Sequence, residues 1–129
     1  MADMSNVLEV DLLNSTLNGA AFTPVDNPYV SLWTSDPTDA ETGTEVSGGS
    51  YARVASSFPT ATTNTVATDA DVTFAEVTYT WGTVGWIGLH SASTGTGNMI
   101  YHTALDAAKT IDTGDVFKIT VGNLTVTLD

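Results

Sequence analysis

The sequence predicts a mainly β protein, an antiparallel β-sandwich or small barrel that follows one short N-terminal helix. Threonine and valine dominate the chain, and both are branched at Cβ, which favours the pleated backbone of a strand. Several segments alternate apolar and polar residues, and turn-forming residues separate them at intervals of about 8–12 residues. With 129 residues, 42% of them hydrophobic, the chain is long enough to enclose a core.

Residues 5–18 are predicted to form the helix. Ser5 or Asn6 can cap its first turn, and Gly19 suits the position just after its last turn. An apolar stripe with three- and four-residue spacing consists of Val7, Val10, Leu13 and Leu17, widened by Leu8 and Leu12. Two interpretations of this stripe stay open: it packs on the β-domain of its own chain, or it forms an interface with a neighbouring subunit.

Residues 28–129 are predicted to form antiparallel strands, so that 1–129 constitutes a single domain. The expected strands cover residues 29–34, 50–59, 72–77, 81–89 and 99–105. Loops are expected at 35–49 and at the glycine-rich 91–98. At the C-terminus, alternating residues on either side of Gly122 and Asn123 predict a β-hairpin formed by 117–121 and 124–128.

The charge balance disfavours several classes of function. The chain has 3 Lys and Arg against 15 Asp and Glu, a formal net charge of −12, which repels phosphate backbones and anionic lipids. We therefore expect no nucleic-acid partner and no membrane partner. The chain has no cysteine, which excludes disulfides and thiol chemistry. The N-terminus lacks the basic and apolar regions of a signal peptide, which predicts synthesis in a cytoplasm.

An acidic loop is the candidate metal site. Asp36, Asp39, Glu41 and Glu45 could offer the hard oxygen ligands that calcium prefers. Their spacing does not match an EF-hand, and acidic residues are ordinary in the turns of so acidic a chain. Whether this loop binds a cation stays open, and no cofactor is predicted.

No catalytic constellation stands out, so the protein is predicted not to be an enzyme. His90 and His102 lie in neighbouring predicted strands and could face each other, but a zinc site needs about three protein ligands. No nucleophile elbow and no phosphate-binding loop is present. Trp33, Trp81 and Trp86 could stack on sugar rings, although packing in the core explains the last two better.

Three segments resemble a family of small tailed-bacteriophage virion proteins. They are YVSLWTSDPTDAETGTEVSGGSYARV (29–54), WGTVGWIGLHSASTGTGNMIYHTAL (81–105) and KTIDTGDVFKITVGNLTVTLD (109–129). The most specific part is the run E-x-S-G-G-x-Y-A-R, from Glu45 to Arg53. Such proteins are often labelled tail fibre proteins.

The resemblance implies a non-enzymatic structural component of a virion that is made in the bacterial host cytoplasm. A compact chain without coiled-coil or shaft repeats suits a capsid decoration or cement protein that stabilises the head. The alternative is a tail-associated or tail-fibre subunit that contributes to attachment to host-surface carbohydrate. The expected partners are further copies of the chain, with a trimer favoured, and the major capsid protein or tail proteins. Val7, Val10, Leu13 and Leu17 are the predicted interface residues.

Overall fold

The computed structural model describes residues 2–128. The predicted domain extends to Met1 and Asp129, and these two residues lie outside the described ones. The elements in chain order are β1 (Asp3–Met4), α1 (Asn6–Leu17), β2 (Tyr29–Trp33), β3 (Val54–Ala55), β4 (Thr65–Ala67), β5 (Val72–Thr73), β6 (Gly82–His90), β7 (Met99–Ile111), β8 (Lys118–Ile119) and β9 (Thr125–Thr127). Strand pairing within this part of the chain is antiparallel. The structure thus confirms the mainly β fold with one short N-terminal helix.

The largest sheet has five strands in the order β1-β7-β6-β2-β3. Its centre is the hairpin of β6 and β7, joined by the predicted loop of residues 91–98. β7 continues to Ile111, beyond the predicted end at Leu105, and pairs there with the start of β6. Residues 106–110 are exposed on both faces of the strand. The sequence therefore shows no alternation of apolar and polar residues there that would predict a strand.

The predicted C-terminal hairpin is wrong. β8 pairs with β5, and β9 pairs with β4, in two separate two-stranded sheets. Residues 120–123 do form a turn, but the Gly122 N–H donates to the Thr68 carbonyl (2.9 Å) and directs the two strands to different partners. An isolated hairpin is marginally stable, whereas pairing with two earlier strands places apolar side chains on two walls of the core.

Two predicted strands are shorter than expected. The strand predicted over 50–59 is reduced to β3, and the strand predicted over 72–77 is reduced to β5. Ser50 has a positive φ of 69°, and a Cβ atom at Gly49 would lie 2.3 Å from the Tyr79 carbonyl oxygen. The backbone therefore bends and packs closely against a neighbouring segment where a straight strand was expected.

The sheets enclose a common hydrophobic core. Its buried members from the strands include Val30, Leu32, Val72, Val84, Ile87, Leu89, Ile119 and Val126. Tyr51, Phe74, Trp81 and Phe117 add a chain of ring contacts with centroid distances of 5.4–6.2 Å. Within residues 2–128, no helix has the length and apolar character needed to cross a membrane.

The helix begins where the sequence predicts it. Ser5 is the N-cap, and its side chain accepts a hydrogen bond from the Leu8 N–H (3.3 Å), which satisfies one of the free donors of the first turn. The Ser5 N–H also donates to the Ile100 carbonyl of β7 (3.0 Å). Gly19 has a positive φ of 67° just after the helix ends. The first turn of α1 is therefore fixed to the central hairpin.

Candidate functional site

The helix α1 carries apolar side chains on two opposite sides. Leu8 is buried and Leu12 is half-buried, and the helix packs on β7. Successive helical residues rotate by about 100°, so the other apolar residues project on the roughly opposite side. We call these residues the helix stripe: Val7, Val10, Leu13 and Leu17, which are 40%, 54%, 57% and 81% exposed.

The helix stripe is therefore left largely exposed, and Leu8 and Leu12 are the apolar side chains of the helix that are buried or half-buried. Val7 and Phe22, which is 37% exposed, line a common hollow that extends the apolar surface beyond the helix. Contiguous exposed apolar surface is typical of an interaction site. The role of the stripe as a subunit interface stays a prediction.

The motif that carries the family resemblance contains an ion pair between a buried Arg53 side chain and a half-buried Glu45. Arg53 donates from Nε to Glu45 Oε1 and from Nη2 to Glu45 Oε2, both at 2.8 Å. Its Nη1 donates to the Ala92 carbonyl and to Asn98 Oδ1, both at 3.1 Å, and Nη2 also donates to the Gly95 carbonyl at 2.8 Å. All five N–H donors of a guanidinium are thus used. Arg53 ties the first residue of the motif to the β6–β7 loop.

This pair stays charged despite its burial. Burial acts to raise the pKa of the Glu45 carboxyl, but hydrogen bonds from Arg53 and Tyr51 outweigh it and hold that pKa below its ordinary value. Burial likewise acts to lower the pKa of Arg53, and the Glu45 carboxylate outweighs it and raises that pKa. The Tyr51 hydroxyl donates to Glu45 Oε1 (2.7 Å), and burial, followed by this carboxylate, raises the pKa of Tyr51.

A chain of hydrogen bonds continues from Arg53 into β2. Asn98 Oδ1, which accepts from Arg53, also accepts from His90 Nδ1 (2.9 Å). In a neutral His90 with its proton on Nδ1, Nε2 accepts from Ser31 Oγ, which lies 2.8 Å away, and Ser31 Oγ accepts from Trp33 Nε1 at 2.7 Å. Burial, and then the Arg53 charge, lower the pKa of His90. A neutral His90 with its proton on Nδ1 satisfies every link.

The four carboxylates of the acidic loop bond to different partners. Asp36 Oδ1 accepts from the Thr38 N–H (2.9 Å) in a local turn, and Glu45 is held in the ion pair described above. Asp39 and Glu41 bond to other parts of the chain. In the part of the chain that the structure describes, no group of three or more His, Asp or Glu side chains could hold a metal ion.

The two histidines do not face each other, which corrects the geometry that the sequence suggested. In the β6–β7 register His90 lies opposite Met99, and His102 lies opposite Gly88. His102 Nε2 instead lies 2.7 Å from Asp39 Oδ1. Each histidine therefore has a bonding partner of its own, Asn98 for His90 and Asp39 for His102.

The tryptophans and the loop acids also have structural roles. Trp33 and Trp81 are buried, so neither offers an exposed face for a sugar ring, and Trp86 is half-buried.

Glu41 Oε2 accepts from the Gly97 N–H (2.6 Å), which adds a second hydrogen-bonded connection between the acidic loop and the β6–β7 loop. Sequence reasoning missed Asn98, because nothing in a glycine-rich loop marks one amide as the link between two elements.

A comparison with protein-family models gives one match. The family model described as "Podophage GP4 fiber I protein gp80" matches residues 3–127. The chain belongs to this phage fibre protein family. No curated protein matches the chain. Membership confirms the resemblance to tailed-phage virion proteins and identifies the chain as a fibre-type structural component of a virion.

In this fibre-family protein, Arg53 should be indispensable for stability. Replacing it by lysine, Arg53→Lys, removes the planar fork and leaves Glu45 with an incomplete partner. Lysine has three donors where arginine has five, so acceptors of Arg53 are left unpaired, and we expect the free energy of unfolding to fall by about 1–3 kcal/mol, measured by urea denaturation at pH 7. The control is Lys118→Ala, since the Lys118–Asp71 pair (3.7 Å) is half-exposed and should contribute less than about 1 kcal/mol. Equal losses in the two variants would contradict this role.

The fold should lose stability on acidification because His90 is held neutral. Its pKa lies below the ordinary value of 6.5 in the folded protein, so below that pH the unfolded chain binds a proton that the folded chain does not. The free energy of unfolding should therefore fall as pH drops from 7 to 5, by up to about 1.4 kcal/mol per pH unit. Urea denaturation of His90→Gln over this range should show a flatter slope. Identical slopes would count against a neutral His90.

Proposed function

We propose that this protein is a non-enzymatic subunit of a phage tail fibre or its base, and that it assembles through the helix stripe. Two observations support the proposal. The matching family model describes a fibre protein, and α1 leaves an apolar face exposed on the side that its own domain does not cover. A component whose work is to join other proteins needs such a face.

The helix stripe has the properties of a contact between copies of an acidic chain. Like-charged surfaces repel each other, and a chain of net charge −12 can associate with itself only where charge is sparse. The four stripe residues are aliphatic. Fully burying an aliphatic side chain contributes about 1.5–3 kcal/mol, so four of them supply much of the free energy of a stable contact. The proposed assembly is a homo-oligomer, a trimer in the favoured case, attached to other tail proteins.

A capsid decoration protein is the competing placement. It is compatible with a compact β-domain, but the description of the matching family names a fibre, which favours the tail. The two placements differ in stoichiometry, because a decoration protein occupies every position of the head lattice and a fibre subunit occupies only the few positions on the tail.

The copy number in purified virions tests the placement. Quantitative mass spectrometry should find this protein at a level tens of times lower than the major capsid protein, because a tail carries few fibres. The portal or another tail protein serves as the internal standard for low copy number. A level comparable to that of the major capsid protein would overturn the tail placement in favour of decoration.

A charge placed in the helix stripe tests the interface. Leu13→Asp should weaken self-association at least tenfold, a loss of about 1.4 kcal/mol, because assembly would then bury an unpaired carboxylate. The matched control is Thr16→Asp, which adds the same charge at an exposed position on the same helix outside the stripe.

Sedimentation equilibrium gives the association constants, and far-UV circular dichroism verifies that both variants are folded. Wild-type protein and Thr16→Asp should form the same oligomer, whereas Leu13→Asp should shift to monomer. An interface elsewhere would be indicated if Leu13→Asp kept the wild-type association constant.

A further inference from the structure

Both lysines of the chain line the same hollow at the C-terminal end of β7. This hollow, of about 300 Å³, is formed by residues 109–111 of β7 and by residues 115–118, which lead into β8. Lys109 and Lys118 are exposed. Val116, which is 54% exposed, and the half-buried Phe117 add apolar surface to the lining. We call this surface the lysine hollow.

The lysine hollow differs in charge from the rest of the molecule. The chain has three Lys and Arg in all, and the third, Arg53, is buried with its donors already bonded. Lys109 forms no ion pair in the part of the chain that the structure describes, and Lys118 has the half-exposed pair with Asp71. Two lysines against one aspartate, Asp115, give the lining a net charge of +1, whereas the chain carries −12. The accessible positive charge of the protein is therefore concentrated here.

The helix α1 has the complementary composition. Its twelve residues contain two acids, Glu9 and Asp11, both exposed, and no Lys or Arg. At about 100° per residue, Glu9 lies beside Leu13 at one border of the helix stripe, and Asp11 lies beside Val7 at the other border. An apolar stripe between two carboxylates thus matches an apolar hollow with two ammonium groups.

Contact between the helix stripes of two copies has no such match. It would bring the Glu9 and Asp11 carboxylates of both copies together, and α1 contains no cation to pair with them. Like charges that face each other across an interface are strongly unfavourable. The charges of α1 therefore favour a contact with a different surface of the neighbouring copy.

A single copy cannot fill its own lysine hollow with its helix. The first turn of α1 is bonded to β7 at the Ile100 carbonyl, and Lys109 lies nine residues further along the same strand. At a rise of about 3.3 Å per residue the two points are separated by up to about 30 Å. No residue of α1 lines the hollow, so a helix that occupies it comes from another copy.

We propose that the lysine hollow of one copy binds α1 of the next copy. The carboxylates that flank the helix stripe face the two lysines, and the stripe itself covers Val116 and Phe117. Each copy then gives its helix to one neighbour and receives the helix of another, and head-to-tail contacts of this kind form a ring where the rotation closes. The inference rests on the proposed function, since it names the surface to which the helix stripe binds.

Mixing two variants of the full chain tests the head-to-tail contact. Leu13→Asp disables the helix stripe and keeps the lysine hollow, and Lys109→Glu does the reverse. At a concentration where the wild type is associated, each variant alone should be monomeric by sedimentation equilibrium. Their equimolar mixture should form a 1:1 dimer, in which α1 of the Lys109→Glu chain occupies the hollow of the Leu13→Asp chain. Far-UV circular dichroism verifies that both are folded.

Charge exchange tests the electrostatic pairing. Lys109→Glu should weaken self-association about tenfold or more, because like charges then face each other across the contact. Adding Asp11→Lys to this variant should recover association, since opposite charges face each other again. The matched control adds Asp69→Lys instead, which restores the same net charge at an exposed residue outside both surfaces and should recover nothing.

Three outcomes would overturn the inference: Lys109→Glu associates as the wild type does, the equimolar mixture stays monomeric, or Asp11→Lys and Asp69→Lys recover association equally. If Leu13→Asp is still monomeric in any of these cases, the helix stripe remains the interface and a different surface receives it. Failure of the proposed interface is a separate result, recognised by a wild-type association constant in Leu13→Asp.

Discussion

The structure depends on the ion pair between Arg53 and Glu45. Taking two charges out of water costs several kcal/mol per ion, and the attraction between them offsets that cost only when their remaining hydrogen bonds are also satisfied. Here all five N–H donors of the Arg53 guanidinium have an acceptor. Three of these acceptors belong to the β6–β7 loop. The loop is consequently held by charge-assisted bonds instead of by apolar contacts, which its glycine-rich sequence could not supply.

The acidic loop connects this pair to the helix. Glu45 sits at the end of the acidic loop, bridged to Trp33, so fixing Glu45 fixes the path of that loop. The Asp39 carbonyl of the loop accepts from the Asn6 N–H (3.0 Å) at the start of α1, and Asp39 Oδ1 lies 2.7 Å from His102 Nε2 in β7. The helix is therefore held from the loop and from β7 together, and this double attachment directs the helix stripe to solvent. These contacts attach the helix that carries the proposed subunit interface to the core.

Much of the local structure could be predicted because its causes lie close together in the sequence. The Ser5 cap, the helix that follows, the strand from Tyr29 and the loop at 91–98 all depend on neighbouring residues. The candidate sites were less predictable. The acidic loop resembled a metal site in composition, but whether four carboxylates converge depends on contacts with distant residues, and each of them found a different partner. Glu45 and Asn98, which Arg53 connects, lie 53 positions apart and share no motif, so only the fold brings them together.

The sequence by itself determined the family, the β class, the position of the helix and the apolar residues available to a core. Tertiary structure alone decided which strands pair, which side of α1 is covered and what Arg53 does. The physical reason is that alternation of apolar residues specifies which face of a strand is buried and leaves its partner open. Residues 117–121 and 124–128 have the pattern of a hairpin, yet separate pairing with β5 and β4 places apolar side chains on two walls of the core, and burial of apolar surface is the dominant favourable term in folding.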